Sequence, residues 1–275
     1  MIISRTPVRV SFCGGGTDID SFSLNEPSGG RVASVAMDRY VYVTLNHRFD
    51  DSIRVSYSSM EFVNSLEDVQ HDLVREAMRL TGVTSGVEIT TIADIPGRGT
   101  GLGSSSSVTV GLLNAMHSFA GRKTSKEQLA YEACKIEIEV LGAPIGRQDQ
   151  YAAAYGGANS IRFDSTGVLV DPIDLSQSTI DGISSEFTLI YTGLTRSARE
   201  VLSEAPDDPE DSISRLRAIR DQADDAVGML KSGDLASLGT LLNDAWMIKR
   251  GTSASVSNAE IDVLYNRVMN LGANG

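Results

Sequence analysis

Cysteine is nearly absent: 275 residues hold only Cys13 and Cys134. The two lie far apart among apolar neighbours, which reads as buried free thiols and excludes a disulfide framework or a cysteine metal pair. Basic residues are also scarce, with 24 Lys and Arg against 36 Asp and Glu and a net charge of −12. That sign excludes holding nucleic acid through nonspecific phosphate contacts, so any phosphate recognition has to be local. No apolar run reaches the roughly 18 to 20 residues of a membrane span, and the opening Met1-Ile2-Ile3-Ser4-Arg5-Thr6-Pro7 lacks the apolar core of a signal peptide. A cytoplasmic protein with no membrane partner is expected. The three histidines, His47, His71 and His117, show no metal-ligand spacing and are read as structural.

What is present is enough chain for a real core, in one large domain or two small ones. Residues 2–12 are rich in β-branched side chains and break at Gly14-Gly15-Gly16, as a strand does on entering a tight turn. Residues 31–46 and 52–57 read as paired antiparallel strands, 71–80 as a helix and 87–92 as a further strand. Val108, Leu112, Ala115 and Phe119 recur at helical spacing up to a stop at Gly121. Thr124 and Glu127 have capping-box spacing for a second helix, with Leu129, Ala133, Ile136 and Val140 along one face and an end at Gly142 and Pro144. Residues 159–163 and 187–191 read as strands. From Ser212 the chain turns helical, with Ile213, Leu216, Ala223, Val227 and Leu230 on one stripe. This shift puts a lobe boundary at 175–185. The acidic run 207–211 is a solvated helix entry, and Trp246 a core or interface anchor that leaves a homodimer open.

The most informative segment is residues 96–107, Pro-Gly-Arg-Gly-Thr-Gly-Leu-Gly-Ser-Ser-Ser-Ser, set between a predicted strand and a predicted helix. Glycines let backbone approach a ligand, a helix N-terminus presents unpaired amides, and serine hydroxyls add donors or a magnesium ligand. The combination predicts a phosphate cradle rather than a flexible connection. It is not a G-x-x-x-x-G-K-[ST] loop, since no lysine follows the glycines, nor a dinucleotide G-x-G-x-x-G with an acidic residue closing the next strand.

With these residues in view, the sequence resembles the GHMP kinases, which share a basic strand running into a glycine turn and a threonine-aspartate pair, here Arg9 to Asp18, and a later proline followed by Gly-Leu-Gly-Ser-Ser. It is most similar to their heptose 7-phosphate kinase branch. That likeness rests on Gly14-Gly15-Gly16-Thr17-Asp18, the 99–107 run, Pro144-Ile145-Gly146-Arg147-Gln148-Asp149-Gln150-Tyr151 and Tyr191-Thr192-Gly193-Leu194-Thr195-Arg196-Ser197. The resemblance implies an α+β, two-lobed GHMP kinase fold. A mixed or antiparallel sheet with helices forms an N-terminal ATP-binding lobe, 1–180, and a helix-rich ferredoxin-like lobe follows, 181–275. The family's third motif, G-A-G-G-G-G, has no counterpart before Leu271-Gly272-Ala273-Asn274-Gly275, so the second lobe is expected to be C-terminally truncated.

It further implies ATP and Mg2+ and transfer of the γ-phosphate to the anomeric hydroxyl of D-glycero-D-manno-heptose 7-phosphate. Other GHMP sugar kinases and a non-catalytic nucleotide-binding relative are the alternatives. Asp149 takes the place of the family's catalytic base; on local pattern alone it would cap a helix over 148–154. Arg9 stabilises the anionic hydroxyl or the transferred group. Gly99, Gly101, Leu102, Gly103, Ser104, Ser105, Ser106 and Ser107 form the ATP cradle. Ser105 and Glu139 hold the metal, Glu139 being preferred to Glu137 because its distance to Asp149 resembles the family spacing; at about 100° per residue the two glutamates flank the apolar stripe on opposite sides. Gly15, Gly16, Thr17, Asp18, Arg147, Thr195 and Arg196 are assigned to the substrate, with Arg31, Arg98, Arg147, Arg196 and Arg199 as candidates for a clamp on its phosphate.

Overall fold

The computed structural model describes residues 1–96, 99–193, 209–253 and 256–275. Two compact units emerge, and neither is a single stretch of chain. The first comprises Met1–Arg9 and Ala36–Gly156, the second Val10–Val35 and Gly157–Gly275. A single cut near residue 180 does not describe them, because two long strands, β1 (Ile2–Cys13) and β2 (Gly30–His47), each contribute to both.

In the first unit, residues 41–47 of β2 pair antiparallel with β5 (Val87–Ala93). On its other side β5 pairs parallel with β3 (Ile53–Ser56), which pairs antiparallel with the edge strand β4 (Met60–Val63). The expected direct pairing of β2 with 52–57 is therefore corrected: β5 lies between them. Alternation explains the burial. Val41, Val43 and Leu45 of β2 and Val87 and Ile89 of β5 point to one face and are fully buried.

Past α1 (Asp20–Ser23), which belongs to the second unit, helices α2 (Asp72–Thr81), α3 (Ser104–Phe119), α4 (Lys126–Cys134) and α5 (Gln148–Tyr155) complete the first. Leu112, Leu113 and Met116 of α3 and Met78 of α2 belong to its core, each contributing roughly 1.5–3 kcal/mol by leaving water. Gly111 sets how close α3 comes to the sheet, since a Cβ there would meet Thr6 Oγ1 and Val43 Cγ2 at 3.0 Å. The cap of α4 is Ser125, whose hydroxyl accepts from Gln128 N, in place of the expected Thr124–Glu127 box. Past Cys134 the helix widens into a π-turn over Lys135–Val140, marked by Leu141 N donating to Ile136 O.

In the second unit, residues 30–35 of β2 pair antiparallel with β6 (Ala158–Asp164), and β6 with β7 (Gly167–Pro172). Helices α6 (Gln177–Glu186), α7 (Pro209–Ser232) and α8 (Leu235–Arg250) pack Ala223, Ala226, Leu230 and Leu238 against Phe12 and Ala33, and α9 (Ala259–Asn270) follows. The strand expected over 187–191 is not formed. Phe187 is extended, φ −95° and ψ 134°, and packs edge-on against Phe12, but no strand among the described residues pairs with the segment. Both cysteines are buried and outside any disulfide, and burial pushes the Cys13 thiol up to about 12. No helix among the described residues is long and apolar enough to cross a membrane.

Candidate active site

The first unit gathers chemistry around the start of α3. Gly103 is the N-cap of that helix in the left-handed region, φ 72°, with no side-chain cap, so the first-turn amides of α3 face outward without a protein side chain on them. Gly99 and Gly101 are likewise left-handed, φ 71° each. This alternation of left-handed residues leading into a helix turns successive N–H groups toward one side, as in anion-binding nests. Ser107 has a structural part in the loop: its Oγ donates to Pro7 O at 2.8 Å, tying α3 to β1. The backbone N–H of Arg9 donates to Leu102 O at 3.2 Å and its Nη1 to Gly101 O at 2.6 Å, fixing the loop from below.

Arg9 and Asp149, 140 residues apart in sequence, meet here. Arg9 Nε donates to Asp149 Oδ1 at 2.8 Å, and a second guanidinium nitrogen contacts the same oxygen. The side chains retain 12% and 24% exposure, so the pair is positioned by protein yet reachable from solvent. Asp149 lies directly against Gly103: a Cβ at that position would sit 3.1 Å from Asp149 Cγ and 3.2 Å from Oδ2. Glycine is needed at 103 twice over, for its backbone angle and for the carboxylate beside it.

One residue further along α5 points elsewhere. Gln150 is fully buried, and its Nε2 donates to Glu137 Oε2 at 2.8 Å while Ser105 Oγ donates to Glu137 Oε1 at 2.6 Å. Burial pushes the Glu137 carboxyl above the usual carboxylate range; hydrogen bonds from Ser105, Ser106 and Gln150 oppose this, and the charge of Asp149 adds to it. Glu139, preferred from spacing, is exposed. Glu137 shares the buried side of its helix with Ala130 and Cys134, at the i, i+4, i+7 spacing of one helical face. Of the two glutamates, it is Glu137 that meets Ser105.

Glu137 and Ser105 are hard oxygen donors of the kind magnesium takes, and Gln150 Oε1 is a buried acceptor with no hydrogen-bond partner. This donor set fits a magnesium ion carried with nucleotide phosphates. Among the described residues no three His, Cys, Asp or Glu side chains cluster as an all-protein metal cage.

The 14–18 turn belongs to the second unit and is held by its own side chains. Thr17 Oγ1 donates to Gly14 O at 2.8 Å and accepts from Arg31 N at 3.0 Å, and Asp18 Oδ1 accepts from Gly16 N at 3.0 Å. Thr17 and Asp18 are both buried, so the groups expected to meet substrate hydroxyls shape the turn. Lys249 of α8, which sequence reasoning did not single out, donates to Gly15 O at 2.7 Å. Arg31 is engaged by Asp224. Arg147 is half-buried just before α5, while Arg98, Thr195, Arg196 and Arg199 lie outside the described residues.

Known proteins resemble this chain along most of its length. Residues 69–157, which include the whole 96–107 loop, Glu137 and Asp149, match the GHMP kinases N terminal domain. The chain is 28% identical over 290 residues to a D-glycero-alpha-D-manno-heptose 7-phosphate kinase of Campylobacter jejuni, covering 99% of this chain and 84% of that relative. It is 25% identical over 309 residues to an L-fucokinase/L-fucose-1-P guanylyltransferase of Bacteroides fragilis, covering 96% of this chain and 32% of the relative's length. Among solved structures, a D-glycero-D-manno-heptose 1-phosphate kinase from Bacteriodes thetaiotaomicron superposes with a TM-score of 0.79 at 25% identity, covering 91% of this chain and 79% of that one.

Proposed function

We propose that this chain, which carries a GHMP kinase N-terminal domain and whose homologues are sugar kinases, transfers the γ-phosphate of ATP to the anomeric hydroxyl of D-glycero-D-manno-heptose 7-phosphate, giving the 1,7-bisphosphate. The observation that carries the reading is the Arg9–Asp149 pair seated against Gly103 at the mouth of the glycine loop. Phosphoryl transfer needs positioning and charge neutralisation more than covalent help from the protein. The first unit, with Arg9, the glycine loop and Asp149, supplies most of this. The amides of 99–104 cradle the phosphates of ATP.

Asp149 accepts the proton of the attacking sugar hydroxyl while the hydroxyl oxygen bonds to the γ-phosphorus, and the bond from that phosphorus to the bridging oxygen of ADP breaks. Arg9 keeps the Asp149 carboxylate turned toward the loop and places a fixed positive charge beside the developing anion. Glu137 and Ser105 would hold magnesium, whose charge would neutralise the phosphate oxygens. Arg147, just before α5, is put forward as a candidate contact to the substrate phosphate. Neutralising it raises the KM for phosphorylated sugar and leaves that for unphosphorylated sugar unchanged.

The similarity to a fucokinase, over 96% of this chain, makes a free sugar the second reading. A coupled ADP-release assay with ATP and Mg2+ separates them, comparing the heptose 7-phosphate with L-fucose, galactose and mevalonate. Selective turnover of the heptose phosphate, with a bisphosphate product by mass, supports the proposal; selective turnover of any other acceptor contradicts it.

A further inference from the structure

We propose that Gln150 is a positioning residue of the phosphoryl-transfer site, whose amide holds Glu137 against Ser105 and so couples the helix bearing Asp149 to the helix that opens at the phosphate loop. The inference rests on the kinase reading for the meaning of the site, but its geometry stands on its own. Consecutive residues of α5 diverge by about 100°. Asp149 therefore faces Arg9 and Gly103 while Gln150 turns inward to Glu137. The two Glu137 oxygens are divided between two helices, Oε1 to Ser105 of α3 and Oε2 to Gln150 of α5.

The orientation of the amide is fixed by chemistry, since a flip would set Gln150 Oε1 against a carboxylate oxygen. Filling space does not explain a glutamine here. Gln150 is 0% exposed, and its Oε1 has no partner. A buried acceptor left open is unfavourable compared with an apolar side chain of the same length, so a residue kept for packing alone would be methionine or leucine. The open acceptor suits a donor that arrives with the bound ligands, such as water carried by a hydrated divalent cation. Groups that orient a metal ligand from behind weaken metal binding when removed, typically 10- to 100-fold.

The test uses Gln150→Met, which keeps length and removes both polar atoms, and Gln150→Asn, which keeps the amide and withdraws it by one methylene. Mn2+ is titrated into full-length protein with saturating ADP and followed by the electron paramagnetic resonance of the free ion, with thermal melts on the same samples. Both variants are expected to stay folded and to bind Mn2+ about 10-fold more weakly, with Gln150→Met melting below the wild type because Glu137 Oε2 loses its donor. In turnover, the KM for MgATP rises while the KM for the sugar stays within about twofold. A folded variant that binds Mn2+ within twofold of wild type overturns the proposal, and so does loss of the folded state in both variants, which would make Gln150 a structural residue. Failure of the kinase reading looks different: Mn2+–ADP binding depends on Gln150, yet the wild type phosphorylates no sugar. If the wild type binds no Mn2+–ADP, both readings fall.

Discussion

Asp149 owes its position to Arg9, which fixes one carboxylate oxygen, and to Gly103, which leaves room for the rest of the group. Replacing Gly103 with alanine strains a left-handed backbone position and sets a methyl carbon within 3.1 Å of Asp149 Cγ. The expected result is a kcat at least 10-fold lower with a stability loss of about 1 kcal/mol, measured by steady-state kinetics and denaturant melts. Arg9→Met is expected to lower kcat more than it raises the KM for ATP, because the loop amides remain. The pattern of residues placed Arg9 on a strand and Asp149 on a helix, and the structure joins them. The contact of Glu137 with Ser105 was not legible, because the apolar stripe alone leaves Glu137 and Glu139 flanking it on either side and does not say which flank the loop helix covers. The hydroxyl of Thr17 could not be foreseen either, because its partner Arg31 reaches it only through the pairing of distant backbone.

At the scale of elements, α3 links core to chemistry: its first turn carries the loop and its later turns are buried through Leu112, Leu113 and Met116. Leu113→Ala is expected to destabilise by about 3 kcal/mol in urea melts while leaving Arg9 and Asp149 in place. On α2, Arg79 and Arg75 hold the buried Glu76 carboxyl below the usual range, the hydrogen bond from Arg79 being the largest influence. A lowered folded-state pKa gives stability that is present above the unfolded pKa and lost as pH falls through the folded one. Glu76→Gln is therefore expected to weaken the fold by about 1 kcal/mol near neutrality and to flatten the acid limb of the melting temperature from pH 5 downward, checked by melts across pH.

Long, strongly patterned elements were readable in the sequence, among them β1, β2, α2 and α3. The short edge strand β4 was not, having only four residues, and neither was the parallel pairing of β3 with β5, which depends on a crossover that no local pattern encodes. The 187–191 segment shows the opposite limit. Its β-branched and aromatic residues read as a strand, but strand propensity becomes a strand only where a partner exists.

Across the whole molecule, the chain divides into two compact units, one holding the glycine loop, Arg9, Glu137 and Asp149, the other the 14–18 turn and Lys249. Composition shifts suggested one boundary near 180. The contacts give three crossings instead, because β1 and β2 are too long to belong to one unit and a sequence profile cannot see where a continuous strand changes neighbours. The similarity to sugar kinases spans both units. The proposed role of Asp149, in the first unit, is to take the proton of a sugar hydroxyl as phosphate is transferred. Its most direct test is the rate of phosphorylated-sugar formation from heptose 7-phosphate and MgATP by the wild type and by Asp149→Asn, followed by phosphorus NMR under saturating substrates. The account predicts a kcat about 10²- to 10⁴-fold lower in the variant with Mn2+–ADP binding within twofold of wild type; equal rates in the two proteins would contradict it.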